Sequence, residues 1–225
     1  MTAAFCSWSG GKDSALALHE AIGLGVRPEL LVTMMIEDGS RSRSHGLRRS
    51  VLEAQAEAMG LAIRFEAASW DGYERGFTNL IEGARKEGLG TGVFGDIDIE
   101  AHREWVEQVC GLAGVSARLP LWQLDRAEVM ERVLEAGFAA MIVAVRDGVL
   151  PVELLGRVID EDVLGELAAA GADLAGENGE YHSIVVDGPV FERPLDLTPG
   201  ERVLRDGVWF LDLDIAPAGS ESATI

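Results

Sequence analysis

Phe5-Cys6-Ser7-Trp8-Ser9-Gly10-Gly11-Lys12-Asp13-Ser14 is the stretch whose reading decides the fold. Ala3-Ala4-Phe5-Cys6 is an apolar run long enough for a buried strand. Behind the stretch, Ala15, Leu16, Leu18, Ala21 and Ile22 recur at the spacing of an amphipathic helix. Between strand and helix lies a tight polar turn. Gly10 and Gly11 have no Cβ, so the backbone there can curl and aim successive N–H groups at one point. The helix adds its free N–H groups and the positive end of its dipole. Lys12 brings a mobile full charge, and Ser9 and Ser14 bring hydroxyl donors. The combination forms a phosphate cradle; the plainer alternative is a glycine turn capped by Asp13.

The chain of 225 residues has room for one large domain or two small ones. Its hydrophobic share of 48 % and charged share of 25 % are those of a soluble globular protein. The longest uncharged apolar run, Ala136 to Val145, falls well short of the ~18 residues of a membrane helix. The first residues lack the basic-then-apolar pattern of an export signal. Cys6 and Cys110 are lone cysteines, so neither a structural disulfide nor a zinc site is expected, and a reducing cytoplasm is the expected location. A formal net charge of −19 argues against a nucleic-acid partner, because phosphate contacts need a basic face. Lys12 and Lys86 are the only lysines. That makes Lys12 conspicuous, although a GC-rich genome or a salty cytoplasm gives the same bias.

Further along, Leu30 to Met35 is a continuous apolar run suited to a sheet covered on both faces. A polar loop, Glu37 to Ser44, follows, with Arg41, Arg43 and His45 close together. Leu47, Val51, Leu52, Gln55 and Met59 mark a helix face that Gly60 stops. Ala62 to Glu66 alternates as a strand, and Tyr73 to Lys86 has helical spacing. Gly92 to Ile97 reads as a short buried strand, Trp105 to Cys110 as helix, and Leu119 to Trp122 closes this half. Alternating strands and helices predict right-handed βαβ units and a parallel sheet, with ligands at the carboxyl ends of the strands. Ser9–Ser14, Thr33, Met34, His45, Gly95 and Asp96 all fall at those ends. Past Asp125 the pattern changes: a helix at Ala127–Ala136, an apolar strand at Phe138–Val145, a helix at Glu161–Ala170, and a hairpin turning at Asp206-Gly207. Two units are therefore expected, residues 1–124 with a parallel sheet and a smaller α+β unit at 125–225. Ala216 to Ile225 reads as a loose tail.

Ser-Gly-Gly-Lys-Asp-Ser does not have the Walker spacing; it resembles the pyrophosphatase loop, or PP-loop, of ATP-dependent adenylating enzymes. A second dense polar stretch, Gly176-Glu177-Asn178-Gly179-Glu180-Tyr181-His182-Ser183, runs into an apolar strand and on composition alone is equally an ordinary turn. Taken with Ser9–Ser14, Gly95-Asp96-Ile97 and Pro120-Leu121-Trp122, it resembles the diphthine–ammonia ligase family of PP-loop proteins, over the chain to about Phe191. The resemblance implies a PP-loop domain of the HUP-like, adenine nucleotide alpha hydrolase type. It also implies ATP-dependent amide synthesis, in which a carboxylate is adenylated with release of pyrophosphate and ammonia then displaces AMP.

Under that resemblance, the expected partners are ATP, ammonium and a carboxylate such as diphthine on elongation factor 2. Self-association into a homo-oligomer is left open. His102-Arg103-Glu104-Trp105 looks more like a bacterial branch, for which a small-molecule acceptor such as a corrinoid side chain is the alternative. A regulator that holds ATP without turning it over is the rival from another class. The expected nucleotide contacts are Ser9, Gly10, Gly11, Lys12, Asp13, Ser14, Thr33, Met34, His45, Gly95 and Asp96. Lys12, Glu177, Glu180 and His182 are the expected catalytic residues, and Glu177, Asn178 and Glu180 the expected substrate contacts. Magnesium is expected with ATP, with no ligand assignable, although Asp13 is a candidate near it. His19 and His102 read as helix-surface residues. No glutaminase pattern is present, so free ammonium is the expected nitrogen donor.

Overall fold

A computed structural model describes residues 1–216; residues 217–225, most of the segment read as a loose tail, lie outside the described residues. The first half runs β1 (Thr2–Ser7), α1 (Lys12–Gly23), β2 (Val26–Met35), α2 (Arg49–Ala58), β3 (Ala62–Ala67), α3 (Tyr73–Lys86), β4 (Thr91–Val93), α4 (Glu100–Leu112) and β5 (Ser116–Arg118). Its strands form one parallel sheet in the order β3-β2-β1-β4-β5. The strand order reverses between β1 and β4, so the loops leaving these two strands diverge and open a crevice at their carboxyl ends.

Successive side chains of a strand point to opposite faces, and β1 shows this directly. Ala4 and Cys6 pack with Leu16 and Leu18 of α1 and with Val51 and Leu52 of α2. Phe5 points the other way, into Phe77, Leu80 and Ile81 of α3 and Val106 and Val109 of α4. Both faces of the sheet are thus covered, which is why β1 and β2 read as unbroken apolar runs rather than as alternation.

The second half contains α5 (Arg126–Glu135), β6 (Ala139–Arg146), a single 3-10 turn (Val152–Leu154), α6 (Glu161–Ala169), β7 (Tyr181–Asp187), β8 (Leu197–Arg205) and β9 (Val208–Ile215). Its antiparallel sheet has the order β7-β6-β9-β8. Asp206 and Gly207 both have positive φ (49° and 77°), the two-residue turn expected of this hairpin. The core does not stop at the junction of the halves. Met130, Ile142, Val145 and Tyr181 belong to the same buried cluster as Ala4, Leu16 and Leu52. α1 touches both α5 and β7, which brings the second sheet over the end of β1.

One element departs from the sequence reading by more than a residue or two at the cleft. The strand expected at Gly92–Ile97 ends at Val93. Beyond it Gly95 lies against the first turn of α1, where a Cβ would stand 2.8 Å from the Asp13 carbonyl carbon. The chain bends there to follow the cradle instead of continuing the sheet. Leu119–Trp122 is a turn beyond β5, pinned by buried Leu121.

Candidate functional site

The turn between β1 and α1 is built from inside. Gly10 has φ +85°, a conformation that a Cβ would strain. Gly11 has ordinary extended φ, but a Cβ there would run into Cε1 of His45. Gly10 is thus required for backbone shape and Gly11 for space. The Ser9 hydroxyl accepts from the Gly11 N–H (3.2 Å) and lies 3.1 Å from the Ser14 hydroxyl, while Ser14 Oγ donates to Gly11 O (2.9 Å). Ala15 is the first residue of α1 whose N–H finds a carbonyl within the helix, at Gly11 (3.2 Å). The N–H groups of Lys12, Asp13 and Ser14 therefore have no partner within the helix. That of Lys12 is met by the Ser183 hydroxyl from β7 (3.2 Å).

Gln55 of α2, fully buried, holds this turn in place. Its amide donates to Gly10 O (3.0 Å) and Val185 O (2.7 Å), and its carbonyl oxygen accepts from Trp8 Nε1 (2.9 Å). Both donors and the acceptor of one amide are thereby satisfied in the core. Val185 N–H also donates to Gly10 O (2.9 Å), so the cradle is joined directly to β7. The sequence marks Gln55 only as one polar residue on an otherwise apolar helix face. Neither Gln55 nor Ser183 was singled out as a site residue.

A cleft of ≈ 340 Å³ lies above the carboxyl ends of β1, β2 and β4. Ser9, Lys12, Asp13 and Ser14 form its floor, with Thr33, Met34, His45, Gly95 and Asp96 around it and Glu177 and His182 brought in by the second half. Val32, Met34, Tyr73 and Phe77 make one wall apolar. Gly10 and Gly11 shape the loop without lining the cleft. The Thr33 hydroxyl is spent on Trp8 O (2.7 Å) and latches β2 to the loop. His102, read from the sequence as a helix-surface residue, is exposed but lines the cleft, its Nδ1 3.5 Å from Asp96 Oδ1.

Asn178 and Glu180 are not brought to the cleft. Glu180 is buried, and one carboxylate oxygen accepts from Asp173 N–H and Asn178 Nδ2 (both 3.2 Å). Burial raises its pKa, but hydrogen bonds from its own backbone, Asp173 and Asn178 outweigh this and hold it below the ordinary value. Asn178 in turn accepts from Arg126 (3.3 Å). Because Glu180 follows two glycines in a turn that closes on Asp173, its side chain faces the turn's interior. These two residues shape the turn, and the expectation of Glu180 in catalysis and of both residues on substrate is corrected accordingly.

Lys12 also differs from the expected mobile charge. It is 3 % exposed, donates to Asp13 Oδ2 (2.9 Å) and to the Ala175 carbonyl, and stands 5.2 Å over the Tyr181 ring. Burial disfavours its charge, yet the Asp13 carboxylate keeps its pKa above that of a free lysine. The cation is thus fixed before any ligand arrives. Across from it, burial and then the Asp13 charge push Glu177 up to about 7, against the pull of Lys12 and Arg126. Asp96 is also raised, chiefly by burial. The rings of His45 and His182 lie 4.8 Å apart. Burial lowers His45 to about 4, and burial followed by the charge of His45 lowers His182 to about 3, so both imidazoles are neutral near pH 7. Nδ1 of His45 lies 2.7 Å from Ser183 O, so that nitrogen carries the proton and Nε2 is left as an acceptor.

Among the described residues no cluster of three or more His, Cys, Asp or Glu forms a ready-made metal cage. Asp13 Oδ1 is nevertheless buried with no hydrogen-bond partner, beside the cradle. A hard cation shared between one carboxylate and phosphate oxygens suits such a site, since magnesium is usually held by one or two carboxylates, waters and substrate phosphates.

A parallel α/β sheet with this cradle at its switch point defines a PP-loop nucleotide-binding protein. Two family models match the chain: the diphthamide synthase N-terminal domain over residues 2–117 and the diphthamide synthase C-terminal domain over residues 125–216. The chain belongs to the diphthamide synthase family, and the curated relatives it matches are named as ligases. A Danio rerio protein named diphthine–ammonia ligase is 26 % identical to it over 235 residues, covering 94 % of this chain and 90 % of that protein. The Homo sapiens protein of the same name is 25 % identical over 222 residues, covering 88 % and 83 %. Among the described residues no helix is long and apolar enough to cross a membrane.

Proposed function

We propose that this protein adenylates a carboxylate with ATP and transfers ammonia to it, with diphthine on elongation factor 2 as the favoured acceptor. The observation that carries the reading is that one cleft joins the β1–α1 cradle and Lys12 from the first half to Glu177 and His182 from the second. A nucleotide-holding regulator has no use for a carboxyl group that titrates near neutrality facing the phosphate cradle.

The chemistry follows from the groups present. A carboxylate and an amine do not condense at neutral pH, because the carboxylate repels nucleophiles and hydroxide is a poor leaving group. Attack of a carboxylate oxygen on the α-phosphorus breaks the bond to the bridging oxygen, and pyrophosphate leaves with that electron pair. Ammonia then attacks the acyl carbon and sheds one proton, and AMP departs with the former carboxylate oxygen. Lys12 and the free N–H groups of the α1 N-terminus lower the phosphate charge in a preformed arrangement, which the Ser9 and Ser14 hydroxyls brace from within the loop. Asp13 would hold magnesium, which when bound neutralises phosphate charge. The apolar wall of Val32, Met34 and Phe77 suits the adenine ring, and Gly95 and Asp96 face the ribose or the acceptor. Glu177, poised at about 7, takes the proton that ammonium or the attacking amine loses. Neutral His182 and His45 accept hydrogen bonds there without adding positive charge.

The test is incubation with ATP, magnesium, ammonium and elongation factor 2 carrying diphthine, with nucleotides resolved by chromatography. AMP formed in step with protein-bound amide supports the reading. ADP, or no turnover of diphthine while an isolated carboxylated corrinoid is amidated, replaces the mechanism or the acceptor respectively.

A further inference from the structure

Arg43 is not explained by the site described above. It lies on the loop between β2 and α2, where its backbone N–H donates to Met34 O (3.2 Å) and one terminal nitrogen of its guanidinium donates to Ala68 O. The guanidinium carbon sits 4.5 Å from the ring centre of Trp70 and 5.8 Å from that of Tyr73. Two aromatic faces and a carbonyl therefore fix a planar cation in one orientation. Its Nε is nevertheless buried with no hydrogen-bond partner. Its loop neighbours Arg41 and Arg48 both pair with Asp212, whereas among the described residues Arg43 forms no ion pair. In a chain of net charge −19, a cation left without a carboxylate at a cleft is conspicuous.

Arg43 also stands between two cavities. It lines the nucleotide cleft and a second one of ≈ 270 Å³, walled by Ile36, Val203, Val208 and Phe210. Trp70, the platform beneath it, is 74 % exposed, so its emission reports on the solvent side of the stacked pair. The contacts of Arg43 with the end of β2 at Met34 and with Ala68 just after β3 place it on the β3 side of the cleft. Lys12 and the α1 N-terminus serve the β1 side.

We infer that Arg43, stacked on Trp70, is a second oxyanion receptor of the cleft, serving an oxyanion that Lys12 does not hold. The acceptor carboxylate is the source the geometry favours, since the phosphate cradle is already furnished with cations and dipole. That assignment of source rests on the ligase reading, but the receptor itself is testable without turnover.

The experiment measures binding alone. Trp70 emission, isolated by subtracting the spectrum of Trp70→Phe, is followed on titration with butyrate and with butyramide, its neutral isostere. ATP and adenosine affinities are measured by calorimetry on wild type, Arg43→Gln and Arg43→Lys, with far-UV circular dichroism and melting temperature as fold controls. The expected result is a saturable response to butyrate and none to butyramide. Arg43→Gln should weaken butyrate by at least ~10-fold, the effect of losing a charge-assisted hydrogen bond, and Arg43→Lys should restore only part of it. If instead ATP weakens in Arg43→Gln while adenosine does not, the oxyanion is a nucleotide phosphate and the receptor stands with its other source. Equal weakening of ATP and adenosine makes Arg43 a nucleobase contact and overturns the inference. So does unchanged binding of every probe, which leaves Arg43 as a loop latch. Failure of amide synthesis in the turnover assay would count against the ligase reading without altering any of these outcomes.

Discussion

Glu177→Gln removes a charge and keeps the shape of a side chain on the cleft wall. The carboxyl is pushed up to about 7, from the 4.5 of an ordinary glutamate, mainly by burial and then by the Asp13 charge. That difference corresponds to roughly 3 kcal/mol favouring the protonated form. Near pH 7 both the base and the acid form are then accessible, which is the poise general base catalysis requires. A base in this position typically contributes ~10²–10⁴-fold, or about 3–5 kcal/mol of barrier. We expect Glu177→Gln to lower the rate of amide formation by at least ~10²-fold while ATP affinity changes little. The assay is single-turnover amide formation from pH 5.5 to 8.5 at fixed free ammonia, so that titration of ammonium itself does not supply the slope. Wild type should show an inflection near pH 7 and Glu177→Gln should lack it. An unchanged rate in the variant, or the same inflection in both proteins, would refute the assignment.

Lys12→Met should weaken ATP binding at least ~10-fold, the scale of a lost charge-assisted contact, and is read by calorimetry. Since Lys12 is 3 % exposed and bonded to Asp13 and Ala175, melting should also shift, unlike a surface substitution; full ATP affinity would remove the loop from the mechanism. Gln55→Ala strands Trp8 Nε1 and Val185 O in the core, while Gly10 O keeps only its bond from Val185 N–H. At about 1–3 kcal/mol for each buried group left unpaired, the unfolding free energy in urea should fall by several kcal/mol, and a loss below ~1 kcal/mol would contradict the clamp. The two histidines set an acid limit. The unfolded chain takes up their protons near pH 6.5, whereas the fold refuses them until about 4 at His45 and about 3 at His182. Stability should therefore decline as pH falls from 6.5 toward 4, and less steeply in His45→Gln; a flat profile through that window would count against the buried neutral pair.

The parallel half of the fold was legible because its signals are local. An apolar run before a glycine turn, and helical spacing after it, fixed β1, the cradle and α1, and strand–helix alternation extended the sheet. β5 escaped because Ser116–Arg118 is three residues long and only one of them is even half-buried. At the site, Lys12, Asp13, His45 and Asp96 line the cleft at the strand ends where sequence order put them, and Glu177 and His182, expected there only from the family resemblance, line it from the second half. Glu180 could not be separated from Glu177 by sequence, since which of two neighbouring carboxylates faces the cleft depends on a turn closing onto Asp173. Gln55, Ser183 and Arg43 act through partners 45 to 171 residues away or through a stacked ring, and no spacing rule carries such contacts.

The central claim is that the acceptor carboxylate itself attacks the α-phosphorus. Its most direct test is turnover of a carboxylate labelled with oxygen-18 in the presence of ATP, magnesium and ammonium, followed by mass spectrometry of the nucleotide. The account predicts one labelled oxygen in AMP for each amide formed, with unlabelled pyrophosphate. Label in inorganic phosphate alongside ADP would contradict it, because attack would then have fallen on the γ-phosphorus.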